Sequence, residues 1–415
     1  MLRRKLHSLK MLRVKLGTRG LLVYLWRRFA RRSHVPTAGF TEGRTDIFKF
    51  YDFLNCKPLG DAGSLDADDR RTINWVIPDF GIGSGGHLNI FRLIFLLEQR
   101  GYQCRVIIVG HTHCISGEQA RRSIRDHFFP IEAEVSIGES SLKPAAITVA
   151  TSWITAYPVR NFQGTHHRCY FVQDYEPYFY ARGSDYSFAE ATYRMGFRGI
   201  TAGGWLAEKL AAEYGMRTDA MGFSYDHGVY RPLPRRNPEI RHVFFYARPV
   251  TSRRGFELGL LALNMVAKQM PEVAFILAGW DASSYHIPFH HLNAGNVAVK
   301  DLPDLYSQCD VALVLSLTNL SLLPLELMAC GCPVVSNRGA NVEWLLNDGN
   351  AVLADATPEA LSEALVSLLQ DESRRKQLAE ASILFAASTS WDAEAGKVAS
   401  VFDDLLVGES TEMQP

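Results

Sequence analysis

Leu322-Leu323-Pro324-Leu325-Glu326-Leu327-Met328-Ala329-Cys330-Gly331-Cys332-Pro333-Val334-Val335 reads as a short helix that stops and turns directly into a strand. Pro324 suits a first helical turn, where a missing N–H costs nothing. Gly331 ends the helix and Pro333 prevents its continuation. The free N–H groups of such a turn, at the positive end of the helix dipole, attract phosphate. Glu326 sits in that turn, within reach of ribose hydroxyls. Upstream, Val311 to Ser316 reads as a strand, Leu302 to Ser307 as a short helix and Val273 to Ala278 as a strand. Phe256 to Lys268 reads as a helix, and His242 to Ala247 as the strand that opens the unit. Alternating strands and helices imply a parallel sheet with helices on both faces.

Arg248 closes the first strand of this unit, and Arg254-Gly255 opens its first helix six residues later. Two cations at a strand end and the next helix start point into the crevice beyond the sheet, where a departing diphosphate would develop charge.

The first half of the chain repeats this grammar. Ile73 to Pro78 is an apolar run that ends in a glycine-rich turn, Gly81-Ile82-Gly83-Ser84-Gly85-Gly86. An amphipathic stretch follows from His87 to Arg100, and then a second apolar run from Cys104 to Val109. Strand, loop, helix and strand make a right-handed parallel crossover. Ala146 to Ala150, Arg168 to Val172 and Gly199 to Thr201 read as further strands, and Trp205 to Tyr214 as a helix. The turn suits a phosphate or sugar at a helix N-terminus. Its spacing departs from GxGxxG, and no acidic residue follows at ribose distance, which disfavours a nicotinamide enzyme.

The 415 residues, 47% apolar and 21% charged, are too long for one ordinary core and suit two domains. The expected division is 1–40, a basic amphipathic extension; 41–225, a first domain; 226–240, a proline-rich linker; 241–390, a second domain; and 391–415, a last helix returning toward the first domain, with a disordered tail from Gly408. The formal net charge of zero conceals an asymmetry. Residues 1–40 hold eleven Lys or Arg and no acidic residue, leaving a balance of −11 for the remainder. Leucines and Trp26 interleave this charge, and a basic amphipathic segment of this kind reads as an anchor on an anionic membrane surface through residues 1–32. The alternative is a disordered or nucleic-acid-binding arm, disfavoured because apolar residues do little for phosphate binding.

No run approaches ~18 apolar residues, and no signal peptide is evident, so the expected location is the cytoplasm, peripheral on the inner face of the cell membrane. Seven cysteines without a CxxC pair fit that compartment. His111, His113 and Cys114 follow an apolar run, where a strand end is the simpler reading than a metal site. Asp66-Ala67-Asp68 reads as a solvated loop rather than a metal-binding DxD.

Arg248 with Arg254-Gly255, Pro324-Leu325-Glu326 and Met328 to Val335 together resemble the donor-binding signature of glycosyltransferase family 4. Asp226-His227-Gly228-Val229-Tyr230-Arg231-Pro232 resembles that family's interdomain linker, and Gly85-Gly86 its N-terminal glycine loop. Ala150 to Tyr157, Phe171 to Pro177 and Phe245 to Pro249 are similar to the WsaF-like rhamnosyltransferases.

The resemblance implies an α/β chain of the GT-B type, in which two Rossmann-like domains face each other across a cleft. It implies a hexosyltransferase that retains anomeric configuration, with no metal and no cofactor beyond its nucleotide-sugar donor, and a glycan or lipid-linked acceptor. Arg248 and Arg254 would hold the donor diphosphate. Glu326 would bind the ribose, Leu322 and Leu323 would line the donor site, and Gly85 and Gly86 would shape the phosphate and acceptor side. Asp174 and Glu176 would be the carboxylates near the sugar or acceptor, Asp174 having loop capping as its alternative.

This chain departs from the family pattern in two places. Thr318 stands where many members carry a first Glu eight residues before Glu326, and Gln173-Asp174 stands for His-Asp. Both changes suit a donor without a 6-hydroxyl, with dTDP-rhamnose the leading expectation. The rival reading is a non-catalytic, sugar-nucleotide-binding scaffold at the membrane. An epimerase, which also uses two such domains, is disfavoured by the linker and the basic extension.

Overall fold

The computed structural model describes residues 46–55, 57–60 and 71–412, with side chains described through 407. The basic extension 1–40, the Asp66-Ala67-Asp68 loop and Cys56 lie outside the described residues. Among the described residues no helix is long and apolar enough to cross a membrane.

A short helix α1 (Ile47–Phe50) precedes β1 (Thr72–Ile77), whose six residues are all buried. The chain then forms α2 (Gly85–Glu98), β2 (Gln103–Ile108), α3 (Gly117–His127), β3 (Glu134–Ile137) and β4 (Ala145–Ala150). It continues through α4 (Trp153–Asn161), β5 (Thr165–Val172), α5 (Ser184–Thr192), β6 (Arg198–Ala202), α6 (Gly204–Tyr214) and β7 (Thr218–Met221). These strands form one parallel sheet in the order β3-β2-β1-β4-β5-β6-β7. The order reverses direction between β1 and β4, and such a switch point opens a crevice at the carboxyl ends of the strands.

Residues 222–241 run without helix or strand. The second sheet follows with β8 (His242–Tyr246), α7 (Phe256–Gln269), β9 (Ala274–Ala278), β10 (His291–Gly295), α8 (Leu302–Ser307) and β11 (Val311–Val314). Then come α9 (Leu323–Ala329), β12 (Val334–Asn337), α10 (Ala340–Glu343) and β13 (Val352–Ala354). Its order, β10-β9-β8-β11-β12-β13, is again parallel, with the switch point between β8 and β11. Gly255 enters α7 at φ +58°, a left-handed conformation that side chains resist, with Leu315 3.3 Å from where a Cβ would stand.

The chain ends in α11 (Pro358–Gln370), α12 (Glu372–Ala387) and α13 (Trp391–Glu412). The last helix lies against the first domain. Phe402 meets Trp75 edge-on, Tyr102 donates to Asp403 at 2.7 Å, and Arg100 pairs with Asp392 at 2.6 Å. The tail expectation needs correction here: α13 continues past Gly408 to Glu412, because one glycine costs an established helix only about 1 kcal/mol. Residues 413–415 lie outside the described residues.

Candidate active site

The two switch points fix where chemistry can occur. In the second domain, the loop after β8 carries Arg248, Arg253 and Arg254, and the loop after β11 carries Ser316, Thr318 and Asn319. Arg254 Nη1 donates to Ser316 Oγ at 2.9 Å and to the Asn319 carbonyl at 3.3 Å. Burial, and after it the neighbouring Arg253, makes the Arg254 guanidinium easier to deprotonate than usual. The Asp174 carboxylate offsets part of the cost of gathering three arginines in one corner, and a diphosphate would offset more. Arg248 Nη1 donates to the Tyr246 hydroxyl at 3.0 Å and remains partly exposed.

Leu322 and Leu323 are buried at the entrance of α9, with Glu326 in its first turn. Burial pushes the Glu326 carboxyl up to about 7, while the Tyr230 hydroxyl and Arg92 favour its ionised form. Tyr230, from the segment between the domains, stacks on Tyr306 at 6.2 Å. Glu326 therefore lies at the root of the cleft, where both domains and the connector meet.

Gly85 and Gly86 form the first turn of α2 beside the other switch point. Gln173 lies across that turn: its Nε2 donates to the Gly86 carbonyl at 3.0 Å, and its Oε1 accepts from Asn89 Nδ2 at 3.0 Å. A Cβ at Gly86 would come within 3.4 Å of Gln173 Nε2, so the glycine admits this amide. The structure thus brings Gly85, Gly86, Gln173, Arg248, Arg254, Leu322, Leu323 and Glu326 to the facing carboxyl edges of the two sheets.

The two candidate carboxylates part company. Asp174, at the end of β5, is buried and faces across the cleft to the second domain. Its Oδ1 accepts from the Asn319 N–H at 2.8 Å and from the Tyr175 N–H at 2.8 Å, and its Oδ2 accepts from Thr318 Oγ1 at 2.9 Å. Arg253 Nε stands 3.4 Å from Oδ2. Burial raises the Asp174 carboxyl, and Arg253 and Arg254 oppose that rise. Glu176 points into the first domain instead. Its Oε2 accepts from the Trp153 N–H at 2.7 Å, at the start of α4, and burial pushes its carboxyl up to about 8.

Sequence reading missed Arg253 and Asn319. Arg253 had a signal, its adjacency to Arg254. Asn319 had none, because its partners in the first domain lie more than a hundred residues away. Its Nδ2 donates to the carbonyls of Gln173 at 2.9 Å and Ala202 at 2.7 Å, and its Oδ1 accepts from Trp344 Nε1 at 2.8 Å.

His113 and Cys114, in the loop beyond β2, meet Asp79 of the loop beyond β1, their donor atoms within 4.8 Å of one another. The imidazole Nδ1 sits 2.9 Å from Asp79 Oδ2, and Thr112 Oγ1 donates to Asp79 at 2.6 Å. Asp79 thus staples the loops after β1 and β2 together. An open hollow lined by Lys268, Phe275, Phe289 and His290 lies at the opposite, amino-terminal end of β9, away from the cleft.

With this geometry in view, the relatives become informative. Residues 133–202 match the WsaF N-terminal domain and residues 241–366 the WsaF C-terminal domain. The O-antigen biosynthesis protein RfbC of Myxococcus xanthus is 34% identical over 352 residues, covering 79% of this chain and 26% of that protein. A D-inositol 3-phosphate glycosyltransferase of Corynebacterium glutamicum is 28% identical over 116 residues, covering 27% of this chain and 28% of its own. The chain thus spans about a quarter of the length of the curated relatives it matches.

Among solved structures, sucrose-phosphate synthase from Thermosynechococcus elongatus superposes with TM-score 0.62 at 13% identity, covering 81% of this chain and all (100%) of that one. Anabaena Alr3699/HepE in complex with UDP and glucose gives 0.61 at 16%, covering 80% and 100%. At these identities the likeness speaks for the fold. Each half thus matches one of the two WsaF domains, and the fold is of the GT-B type.

Proposed function

We propose that the chain is a glycosyltransferase of O-antigen or related surface-polysaccharide synthesis, with its nucleotide-sugar donor held mainly by the second domain. The observation that carries this reading is the posture of Arg254, set at the switch point of the second sheet by Ser316 and Asn319, with Arg248 beside the same crevice. RfbC, by its name an O-antigen biosynthesis protein, and HepE, crystallised with UDP and glucose, support it. In this reading Arg248 and Arg254 neutralise the diphosphate as it leaves, in the place where other transferases use a metal ion. Glu326 receives the ribose hydroxyls, and the amides of Leu322 and Leu323 face the phosphates. The sugar passes through an oxocarbenium-like state and is attacked on the face the diphosphate leaves, which retains configuration.

Thr318 and Gln173, in place of a carboxylate and an imidazole, suit a sugar without a 6-hydroxyl, and dTDP-rhamnose is the donor we propose. The acceptor is a glycan or a lipid-linked glycan, reached at the cytoplasmic membrane face through the basic residues 1–32. A second reading, a non-catalytic sugar-nucleotide-binding scaffold, is favoured by one observation: both oxygens of Asp174 and one of Glu176 accept from protein donors. Turnover with an acceptor separates the two readings.

The test is thermal unfolding with dTDP-rhamnose, UDP-glucose, UDP-N-acetylglucosamine and GDP-mannose, in wild type and in Arg254→Ala. A ligand at a hundred times its dissociation constant stabilises by about 2.7 kcal/mol. A shift with dTDP-rhamnose alone that Arg254→Ala abolishes supports donor and clamp together. If none of the four shifts the midpoint, the assignment fails.

A further inference from the structure

Asp174 and the loop it grips belong to different domains, and the grip is extensive. Besides the bonds from Thr318 and the Asn319 N–H, the Asn319 side chain locks onto two first-domain carbonyls, and Ser316, Thr318 and Asn319 are all buried. The same loop supports the arginines. Ser316 Oγ donates to the Asn319 carbonyl at 2.6 Å while accepting from Arg254, and the Leu317 N–H donates to the Arg253 carbonyl at 2.9 Å. Arg253 itself lies between Asp174 and the Phe179 ring, 4.2 Å from the ring centroid, both first-domain groups. One first-domain carboxylate therefore fixes the loop after β11 and one arginine of the loop after β8, and these two together set Arg254.

The bonding also shows how Asp174 is occupied. Three hydrogen bonds take three of the roughly four acceptor sites of its two oxygens, and the Arg253 guanidinium stands 3.4 Å from Oδ2, so the carboxylate is engaged mainly by protein donors. Thr318 donates its hydroxyl to this same carboxylate.

We propose that Asp174 is a positioning residue that couples closure of the two domains to the aim of Arg254, so that the donor clamp is complete only when the first domain sits on the 316–319 loop. The inference rests on the nucleotide-sugar reading for what Arg254 binds, but the latch itself stands independently of it. Opening the cleft would free Thr318 and Asn319, release Arg253, and leave Arg254 without its fixed supports. Donor affinity would then report domain closure.

The experiment uses the full chain with Asp174→Asn, Asp174→Glu, Arg254→Ala and the Asp174→Asn/Arg254→Ala pair, with dTDP and UDP as probes. In Asp174→Asn the amide oxygen can still accept from the Asn319 and Tyr175 N–H groups, but an uncharged N–H₂ replaces the carboxylate oxygen facing Thr318 and Arg253, so the grip is weakened while the volume is kept. Without nucleotide, hydrogen exchange at the Thr318 and Asn319 amides should accelerate about tenfold or more, and small-angle scattering should show a larger radius of gyration. By calorimetry, Asp174→Asn should weaken the bound nucleotide about tenfold, Asp174→Glu should restore part of the loss, and the pair should bind no more weakly than Arg254→Ala alone. That non-additivity marks action through Arg254, which general destabilisation would not produce.

Additive losses would overturn the proposal, because Asp174 would then touch the ligand itself. Unchanged exchange at Thr318 and Asn319 would overturn it as well. If wild type binds neither nucleotide, the donor reading falls and the exchange measurement still decides the latch. Thr318→Val, which removes one hydrogen bond, gives the same readouts if the Asp174 variants fail to fold.

Discussion

Replacing Glu176 by Gln removes a buried titratable carboxyl yet keeps an acceptor for the Trp153 N–H at the start of α4. Burial raises this carboxyl from about 4.5 to about 8. The folded chain therefore holds the proton more tightly than the unfolded chain does. Stability from this group is fully present below about pH 4.5, declines as pH rises through that window, and is gone above about pH 8. At about 1.36 kcal/mol per tenfold displacement, the part of the decline between about pH 5 and about pH 9 is on the order of 4 kcal/mol. Gln has no proton to lose, so the stability of Glu176→Gln relative to wild type should climb by that amount between about pH 5 and about pH 9. Glu98, Glu139 and Glu326 are also raised by burial, and they cancel in the difference between the two proteins. Urea unfolding of both proteins across this range measures it. Parallel pH curves would refute the reasoning, since Glu176 would then be neither desolvated nor strained by ionisation. Sugar transfer by the variant should persist to within a few-fold, because the carboxylate faces the domain interior; loss of turnover with intact folding would return Glu176 to the reaction.

Two more expectations follow from contacts. In Gly259→Ala the new methyl would stand 2.1 Å from Phe245 Cζ inside the second core, an overlap worth about 1–3 kcal/mol that exceeds the ~1 kcal/mol gain in helix propensity; an unfolding midpoint equal to or above wild type would refute it. Tyr230→Phe removes the hydroxyl that favours ionised Glu326, so the Glu326 carboxyl should rise further above about 7 and the pH midpoint for nucleotide binding should move upward with it; calorimetry between about pH 6 and about pH 9 reads this, and an unmoved midpoint would disprove the pairing.

The sequence by itself determined the architecture, because buried parallel strands are continuous apolar runs that need no partner to be recognised. Thr72–Ile77, Ala145–Ala150, His242–Tyr246 and Val311–Val314 were legible for this reason, as was the helix-to-strand turn at Gly331-Cys332-Pro333. Its blind spots were the sheet edges. β3, β7 and β10 are short, partly exposed and rich in polar residues, and β13 is apolar but only three residues long, so no local pattern separates them from loops. The donor-side residues were legible because strand ends and helix starts carry them close together in sequence. Tertiary structure alone decided the fates of Asp174 and Glu176, two residues apart: one faces the other domain, and the other caps α4 within its own. It also decided that Thr318 and Asn319 serve Asp174 from more than a hundred residues away. Hydrogen bonds between domains depend on how two finished sheets meet, and that meeting is written in no single stretch of sequence.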